Sequence, residues 1–247
     1  MKTVLITGCS SGFGLEIARH FLARDWRVIA TMRTPDADIL PASDRLRVLA
    51  LDVADAASIA AAIAAAGPID ALVNNAGIGV LYPLEGIPME TARSVFETNT
   101  LGTIALTQAV LPAFRARRAG VIVNVTSTVT LKALPLLSVY TASKAAVNAF
   151  TESLALELEP LGIRTRLVLP GRSPSTKFGE NARARMQGDL PEVYAPVLDA
   201  VFAGVRGGGP VTLAEDVAQA VWRAVTDPAA PMRIPAGEDA EALAASL

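Results

Sequence analysis

The chain has 247 residues, of which 51% are hydrophobic, and a formal net charge of -2 with no long basic run; that balance argues against a nucleic-acid partner and fits one large domain able to bury a sizeable core. A lone cysteine, Cys9, and a lone histidine, His20, exclude an internal disulfide and leave no ligand set for a metal such as zinc. No apolar run approaches the ~18 residues of a membrane span, and the apolar start is too short for a secretory leader, so a cytosolic protein without a membrane partner is expected.

In chain order, the first strand is Val4–Thr7. The glycine-rich run Thr7-Gly8-Cys9-Ser10-Ser11-Gly12-Phe13-Gly14 turns it into a helix over Gly12–Arg24. A second strand, Arg27–Met32, leads into Arg33, and a third, Arg47–Leu51, leads into Asp52-Val53. Asp55 is placed to cap a helix over Ala56–Ala65, which Gly67-Pro68 stops. After the strand Ala71–Asn74, a long helical pattern covers Pro88–Ala116 and should bend near Asn99–Gly102 or at Pro112. The strand Val121–Thr126, the helix Val139–Glu159 ahead of Pro160, the strand Arg164–Leu169 and the helix Ala214–Thr226 follow, with a short last strand near Met232–Ile234.

This alternation predicts βαβ units and an α/β fold. It is a Rossmann-like, doubly wound parallel sheet with helices on both faces, in a single domain. Strands that are continuously apolar suit a sheet covered on both sides. One segment breaks the rhythm. Residues 171–210 are rich in Gly, Pro and charge, and leave the carboxyl end of a strand, where ligands bind in such sheets. We read them as a substrate lid, with a surface excursion as the bland alternative. The basic cluster Arg115, Arg117, Arg118 reads as a solvated helix end beside the helix dipole.

The glycine run carries the first piece of chemistry. Gly8 permits a tight turn, Gly12 lets the backbone approach a pyrophosphate, and Gly14 lets the helix pack on the strand. The helix N-terminus then offers unpaired N–H groups to phosphate. At the end of the second strand, where NAD enzymes often carry an acid, Met32 is neutral and Arg33 cationic. A guanidinium suits a 2′-phosphate, with Ser10 and Ser11 as hydroxyl donors opposite; a surface arginine without a ligand is the alternative. Asp52 either meets an adenine or caps its strand.

Tyr140 and Lys144 stand four residues apart on one helix face, and Ser127 follows a strand thirteen residues before Tyr140. A free phenol is a poor base near neutral pH, and a nearby ammonium favours phenolate. Ser127 can hydrogen-bond the same substrate oxygen. His20, Trp26 and Trp222 read as structural, and nothing in the sequence activates Cys9.

Together these residues resemble the short-chain dehydrogenase/reductase family over nearly the whole chain. The resemblance rests on Thr7–Gly14, Asp52, Asn74-Asn75-Ala76-Gly77, Asn99, Ser127, Tyr140-x-x-x-Lys144 and Pro170-Gly171. It implies seven strands, Tyr140 as general acid/base and Ser127 orienting the carbonyl. It implies Lys144 holding the nicotinamide ribose and lowering the tyrosine pKa, and Asn99 bending its helix and holding a proton-relaying water. It further implies Asn75, Ala76 and Gly77 lining the cofactor, Pro170 and Gly171 passing beside the nicotinamide, hydride transfer from the pro-S face, and a homodimer or homotetramer through the helices after Asn99 and Ser138. Gly8-Cys9-Ser10-Ser11-Gly12, Ala30-Thr31-Met32-Arg33 and the tail from Arg233 resemble the 17β-hydroxysteroid/retinol dehydrogenase-like members. Where the family often places a threonine four residues beyond the glycine, this chain has Ser175, then Thr176; either hydroxyl can meet the nicotinamide.

The expected function is an oxidoreductase using NADP(H) on a secondary alcohol/ketone or aldehyde, the cleft shaped by the lid and residues 78–83 and mostly apolar. Its rivals are a catalytically silent dinucleotide-sensing module on the same fold and an epimerase or dehydratase of the longer branch, against which the glycine spacing speaks.

Overall fold

The computed structural model describes residues 1–183, 185, 191–206 and 208–247. Its strands are β1 (Thr3–Thr7), β2 (Arg27–Met32), β3 (Leu46–Ala50), β4 (Ala71–Asn74), β5 (Gly120–Val125), β6 (Ile163–Pro170) and β7 (Arg233–Ala236). They pair in parallel in the order β3-β2-β1-β4-β5-β6-β7. Leu5 lies beside Ile29 on one side and Leu72 on the other, so these side chains share a face. They pack on α2 (Ala56–Ala66), α4 (Gly102–Arg117) and α5 (Ser138–Leu158). Val4, Ile6, Val28, Val73 and Val123 point the other way, onto α1 (Gly12–Leu22) and α8 (Ala214–Thr226). Both faces are covered, which is why the strands read as unbroken apolar runs. The strand order reverses between β1 and β4, and the crevice outside their carboxyl ends is where such sheets bind ligands.

Several boundaries move for identifiable reasons. The first helix stops at Leu22 rather than Arg24, because Asp25 takes a left-handed conformation (φ 60°) to enter β2. The long helix divides into α3 (Met89–Phe96) and α4, joined by a π turn over Glu97–Leu101. The bend is therefore at Asn99, and the helix runs on through Pro112. The expected lid contains α6 (Phe178–Arg183) and α7 (Ala195–Arg206), which Pro and Gly flanks had hidden; its residues 184, 186–190 and 207 lie outside the described residues. A last helix, α9 (Glu238–Ala245), begins after Gly237 and is too short to show a period. His20, Phe21, Trp26 and Trp222 form an aromatic cluster between α1 and α8, with ring centroids 5.1–6.0 Å apart. Arg117 and Arg118 donate to the carbonyls of Ile69 and Pro160, so these two arginines tie the end of α4 to the segments that lead into β4 and β6.

One polar ladder crosses the core. Asn74 Nδ2 donates to Asn124 Oδ1 (2.8 Å), Asn124 Nδ2 donates to Thr151 Oγ1 (2.8 Å), and the Thr151 hydroxyl donates to Val147 O (2.6 Å). All three side chains are buried. Asn124→Ala removes both ladder bonds, leaving the Asn74 amide only its long bond to Thr107 and the Thr151 hydroxyl only its donation to Val147 O, at about 1–3 kcal/mol for each buried group left short of a partner. Urea unfolding should show a loss of about 2–3 kcal/mol on that scale; a loss below about 0.5 kcal/mol, within the range of a surface substitution, would show the ladder to be dispensable.

Candidate active site

The glycine turn is shaped by close approach. Gly8 has φ +74°, and a Cβ there would lie 2.9 Å from Ala76 Cα; a Cβ on Gly14 would lie 2.2 Å from Gly8 O. The Asn75 amide Nδ2 donates to Thr7 O (2.9 Å) and Gly8 O (3.3 Å), and the Thr7 hydroxyl accepts from the N–H groups of Asn75 (3.0 Å) and Ala76 (2.9 Å). Asn75 thus builds the turn with its side chain. Thr7, at the start of the motif, is its unforeseen partner. Ser10 is exposed, and Ser11 precedes the helix in extended conformation with no capping bond from its own side chain. Phe13 packs against the sheet. Cys9 is buried, its thiol donating to Ile6 O (3.3 Å), and burial pushes it up to about 12.

At the end of β2, Met32 is buried in the layer under α1, whereas Arg33 is exposed. The guanidinium of Arg185, from the lid, is pushed below its ordinary value by burial and then by the charge of Arg33, so the two cations lie near each other. Asp52 Oδ1 accepts from Ala54 N–H (3.0 Å), a local turn that supports the capping alternative. Val53 is buried, and its carbonyl lies against Gly102 of α4.

Four buried side chains converge at the carboxyl ends of β4 and β5: Asn99, Ser127, Tyr140 and Lys144. The Tyr140 phenol is pushed up by burial, opposed by a hydrogen bond with Ser127. The expected lowering of the phenol by Lys144 is not what the structure holds. Lys144 Nζ donates to Val125 O (3.0 Å), and burial pushes its ammonium down to about 8. A Cβ on Gly77 would lie 3.2 Å from both Lys144 Nζ and Asn99 Oδ1, so Gly77 sits against both groups. Asn99 is fully used: Oδ1 accepts from Ile78 N–H (2.8 Å), while Nδ2 donates to Ile78 O (2.9 Å) and Ser143 Oγ (3.0 Å). Ser143 in turn donates to Tyr140 O (2.7 Å). The π turn aims Asn99 at the loop after β4 and ties that loop to the catalytic helix.

The first turn of the lid covers this site. The Thr176 methyl lies 3.4 Å from the position of a Gly12 Cβ, and Ser175 is exposed, so Thr176 is the residue facing the glycine turn. The Phe178 ring lies 5.3 Å from that of Tyr140 and closes over Gly79, where a Cβ would meet it at 2.5 Å. No spacing or composition signal marks Phe178. Tyr82, in the segment expected to shape the cleft, packs with Val80, Ile87, Val95 and Val139 in a small apolar cluster. Farther out, the Tyr194 hydroxyl donates to Glu85 (2.8 Å), joining the far side of the lid to the same loop. Pro170 is buried, and Gly171 lies against Asp239 of α9. Among the described residues no helix is long and apolar enough to cross a membrane.

The family model described as short chain dehydrogenase matches residues 2–187. The human protein retinol dehydrogenase 8 is 36% identical over 254 residues, covering 94% of this chain and 80% of that protein. An uncharacterized oxidoreductase of Bacillus subtilis, YusZ, is 45% identical over 181 residues, 69% of this chain and 64% of that protein. A short-chain dehydrogenase structure from Streptomyces avermitilis superposes with a TM-score of 0.87 at 31% identity, covering 99% of this chain and 91% of its own. Two further family structures, from Burkholderia cenocepacia with NADP (TM-score 0.79, 28% identity, 100% and 94% covered) and Burkholderia phymatum with NAD (0.82, 26%, 99% and 91%), share the fold. The glycine turn, the buried Ser/Tyr/Lys set and these matches have one reading: the chain belongs to the short-chain dehydrogenase family and has the make-up of an oxidoreductase.

Proposed function

We propose that this protein interconverts a secondary alcohol and ketone, or reduces an aldehyde, with NADP(H), and that its substrate is largely apolar. The observation that carries the reading is the buried phenol of Tyr140, bonded by Ser127, one helical turn from Lys144 and beside the glycine turn. The residues fit a dinucleotide: the close approach at Gly8 and Gly14 folds the turn tightly against the start of α1, and the α1 N-terminus lacks a side-chain cap. Gly8, Ser10, Ser11, Gly12, Phe13 and Gly14 would hold its phosphates and adenosine end. Asn75, Ala76, Gly77, Pro170, Gly171, Thr176 and Lys144 would flank its nicotinamide end. When bound, the nicotinamide supplies or takes up the hydride. Tyr140 exchanges the proton on the substrate oxygen, and Ser127 donates a hydrogen bond to the same atom. Phe178 and the loop after Gly77 keep water out. We further propose a homodimer or homotetramer built on α4 and α5, whose cleft is lined by the half-buried Ile104, Leu111 and Phe150; light scattering after gel filtration should return a mass at least twice 25.7 kDa.

Cofactor oxidation followed with a panel of ketones and aldehydes tests the activity. Tyr140→Phe should lower turnover by about 10²–10⁴, the worth of a positioned general acid/base, and leave NADPH binding near wild type. More than a few per cent residual activity would overturn the assignment. Because the phenol is pushed up, it is protonated near neutral pH, so carbonyl reduction should hold or fall as pH rises while alcohol oxidation climbs.

Lys144 is held at about 8, below its ordinary 10.5, so the fold disfavours its charge. That destabilisation, about 3 kcal/mol, is complete below pH 8 and is relieved as pH rises toward 10.5. Lys144→Met should therefore raise the thermal midpoint at pH 7 while removing activity; a lower midpoint would refute the stored cost.

For the cofactor's 2′-phosphate the candidates are Arg33, which follows β2, and Arg185 of the lid, whose guanidinium feels the charge of Arg33. Met32 contributes by not being acidic; a carboxylate there would be buried, so the test uses the arginines. Arg33→Ala should weaken NADPH roughly ten- to a hundredfold, as expected for losing a charge-assisted contact, and leave NADH almost unchanged. NADH binding the wild type as tightly as NADPH would remove the basis for the preference.

A further inference from the structure

The lid is fastened at its base by groups outside the catalytic set. The chain leaves β6 through Gly171-Arg172 and returns to α8 through Gly208, Gly209 and Thr212. Thr212 N–H donates to Arg172 O (2.8 Å), and Gly171 N–H donates to Thr212 Oγ1 (2.8 Å). Arg172 Nη2 donates to Gly208 O (3.2 Å). A third element closes the arrangement. Asp239, in the first turn of α9, accepts from Arg172 N–H at Oδ2 (2.6 Å) and from the Thr212 hydroxyl at Oδ1 (2.7 Å). The Thr212 hydroxyl is also 2.8 Å from Ala236 O, on β7. One carboxylate thus grips both stems of the lid at once, through bonds strengthened by its charge.

The same carboxylate dictates the residue beside it. A Cβ on Gly171 would lie 2.2 Å from Asp239 Oδ2 and 2.4 Å from its Cγ. Gly171 is not among the glycines with positive φ, so its backbone would accept alanine. Asp239 cannot swing aside without giving up both of its bonds.

We infer that Asp239 is a positioning residue: it fixes the Pro170-Gly171 turn and both stems of the lid, and it is the reason position 171 is glycine. The inference rests on the dinucleotide reading only for its effect on NADPH. The bonds it describes hold the chain without any ligand. Asn at 239 fits the same place, its carbonyl facing Arg172 N–H and its amide facing Thr212 Oγ1, while the threonine hydroxyl turns wholly to Ala236 O. Alanine at 239 clears the space and removes both bonds.

A double-mutant cycle tests this in the full chain. The readouts are the thermal midpoint and hydrogen exchange at residues 171, 172 and 212 without cofactor, and NADPH affinity from its fluorescence. Asp239→Ala should speed exchange at Gly171 and Arg172 at least tenfold and weaken NADPH at least fivefold; Asp239→Asn should stay within threefold on both. Gly171→Ala should lower the midpoint and speed exchange at Arg172 at least tenfold in the wild type, but leave the midpoint in place and change that exchange less than twofold when Asp239 is already Ala. Should Asp239→Ala not fold, Asp239→Ser clears the same space and keeps one acceptor. Unchanged exchange in Asp239→Ala, or in Asp239→Ser where it takes that variant's place, would overturn the inference. So would Gly171→Ala being equally harmful to NADPH binding in both backgrounds with the midpoint unmoved, since the glycine would then be demanded by the cofactor. If the wild type binds neither NADPH nor NADH, the dinucleotide reading fails, and the exchange and midpoint arms still decide the role of Asp239.

Discussion

The hydrogen-bond ladder Asn74–Asn124–Thr151 constrains everything else in the site. It joins β4, β5 and α5, and each delivers a part of the chemistry. Just past Asn74 come the residues that build the glycine turn. Just past Asn124 come the Val125 carbonyl that receives Lys144 and the strand end that carries Ser127. Three turns of helix before Thr151 stands Tyr140. An apolar sheet alone could tolerate small shifts of helix on strand. A buried amide cannot, because a shift leaves its donors unpaired in a low-dielectric interior. The two strands and the helix thus keep their relative positions to within a hydrogen bond's tolerance.

On that frame the protein keeps groups that work against its own stability. Lys144 is buried with a backbone carbonyl as its hydrogen-bond acceptor, and the phenol of Tyr140 is sealed beneath the lid. Burial disfavours the charged form of both, and both are held by hydrogen-bonded neighbours. Asn99 is the clearest of these: its side chain pairs both backbone groups of Ile78 and also reaches Ser143. The π turn that carries it is a local irregularity in an otherwise regular helix, kept where the site needs a side chain aimed outward from the helix axis.

Much of this could be read from the chain itself. Strand and helix placement followed from apolar runs and from Gly, Pro and Asp punctuation, since those signals are local. The Ser127, Tyr140 and Lys144 convergence followed from spacing, because a strand end and one helix face fix where their side chains go. What escaped depends on long-range contact. Sequence shows Asn75 only as a candidate cofactor-lining residue; that its side chain also builds the glycine turn, through Thr7 and Gly8 67 or more positions away, is visible only in the fold. Met32 turns inward, a fact set by the sheet's pleat rather than by its neighbours in sequence. How far burial raises the phenol is likewise set by the packed surroundings of Tyr140 and not by its spacing from Lys144. The helices α6, α7 and α9 were hidden by short length and by Pro and Gly flanks. Which of Ser175 and Thr176 faces inward depended on the turn that starts the lid.

Phe178 has a consequence for selectivity. Its ring lies on Tyr140 and over Gly79, in the place where a substrate's reacting carbon would approach the phenol. The lid's own side chain is therefore a competitor tethered at high local concentration. On the proposed activity, a substrate reaching the phenol would displace that ring, and its apparent affinity would be its intrinsic affinity scaled by the fraction of molecules in which the ring has already swung away. Small polar carbonyls offer little surface to replace the contact they evict. Bulky apolar ones restore it and can stack where the phenylalanine had been. Discrimination by size then arises from an internal rival rather than from the walls of a rigid pocket.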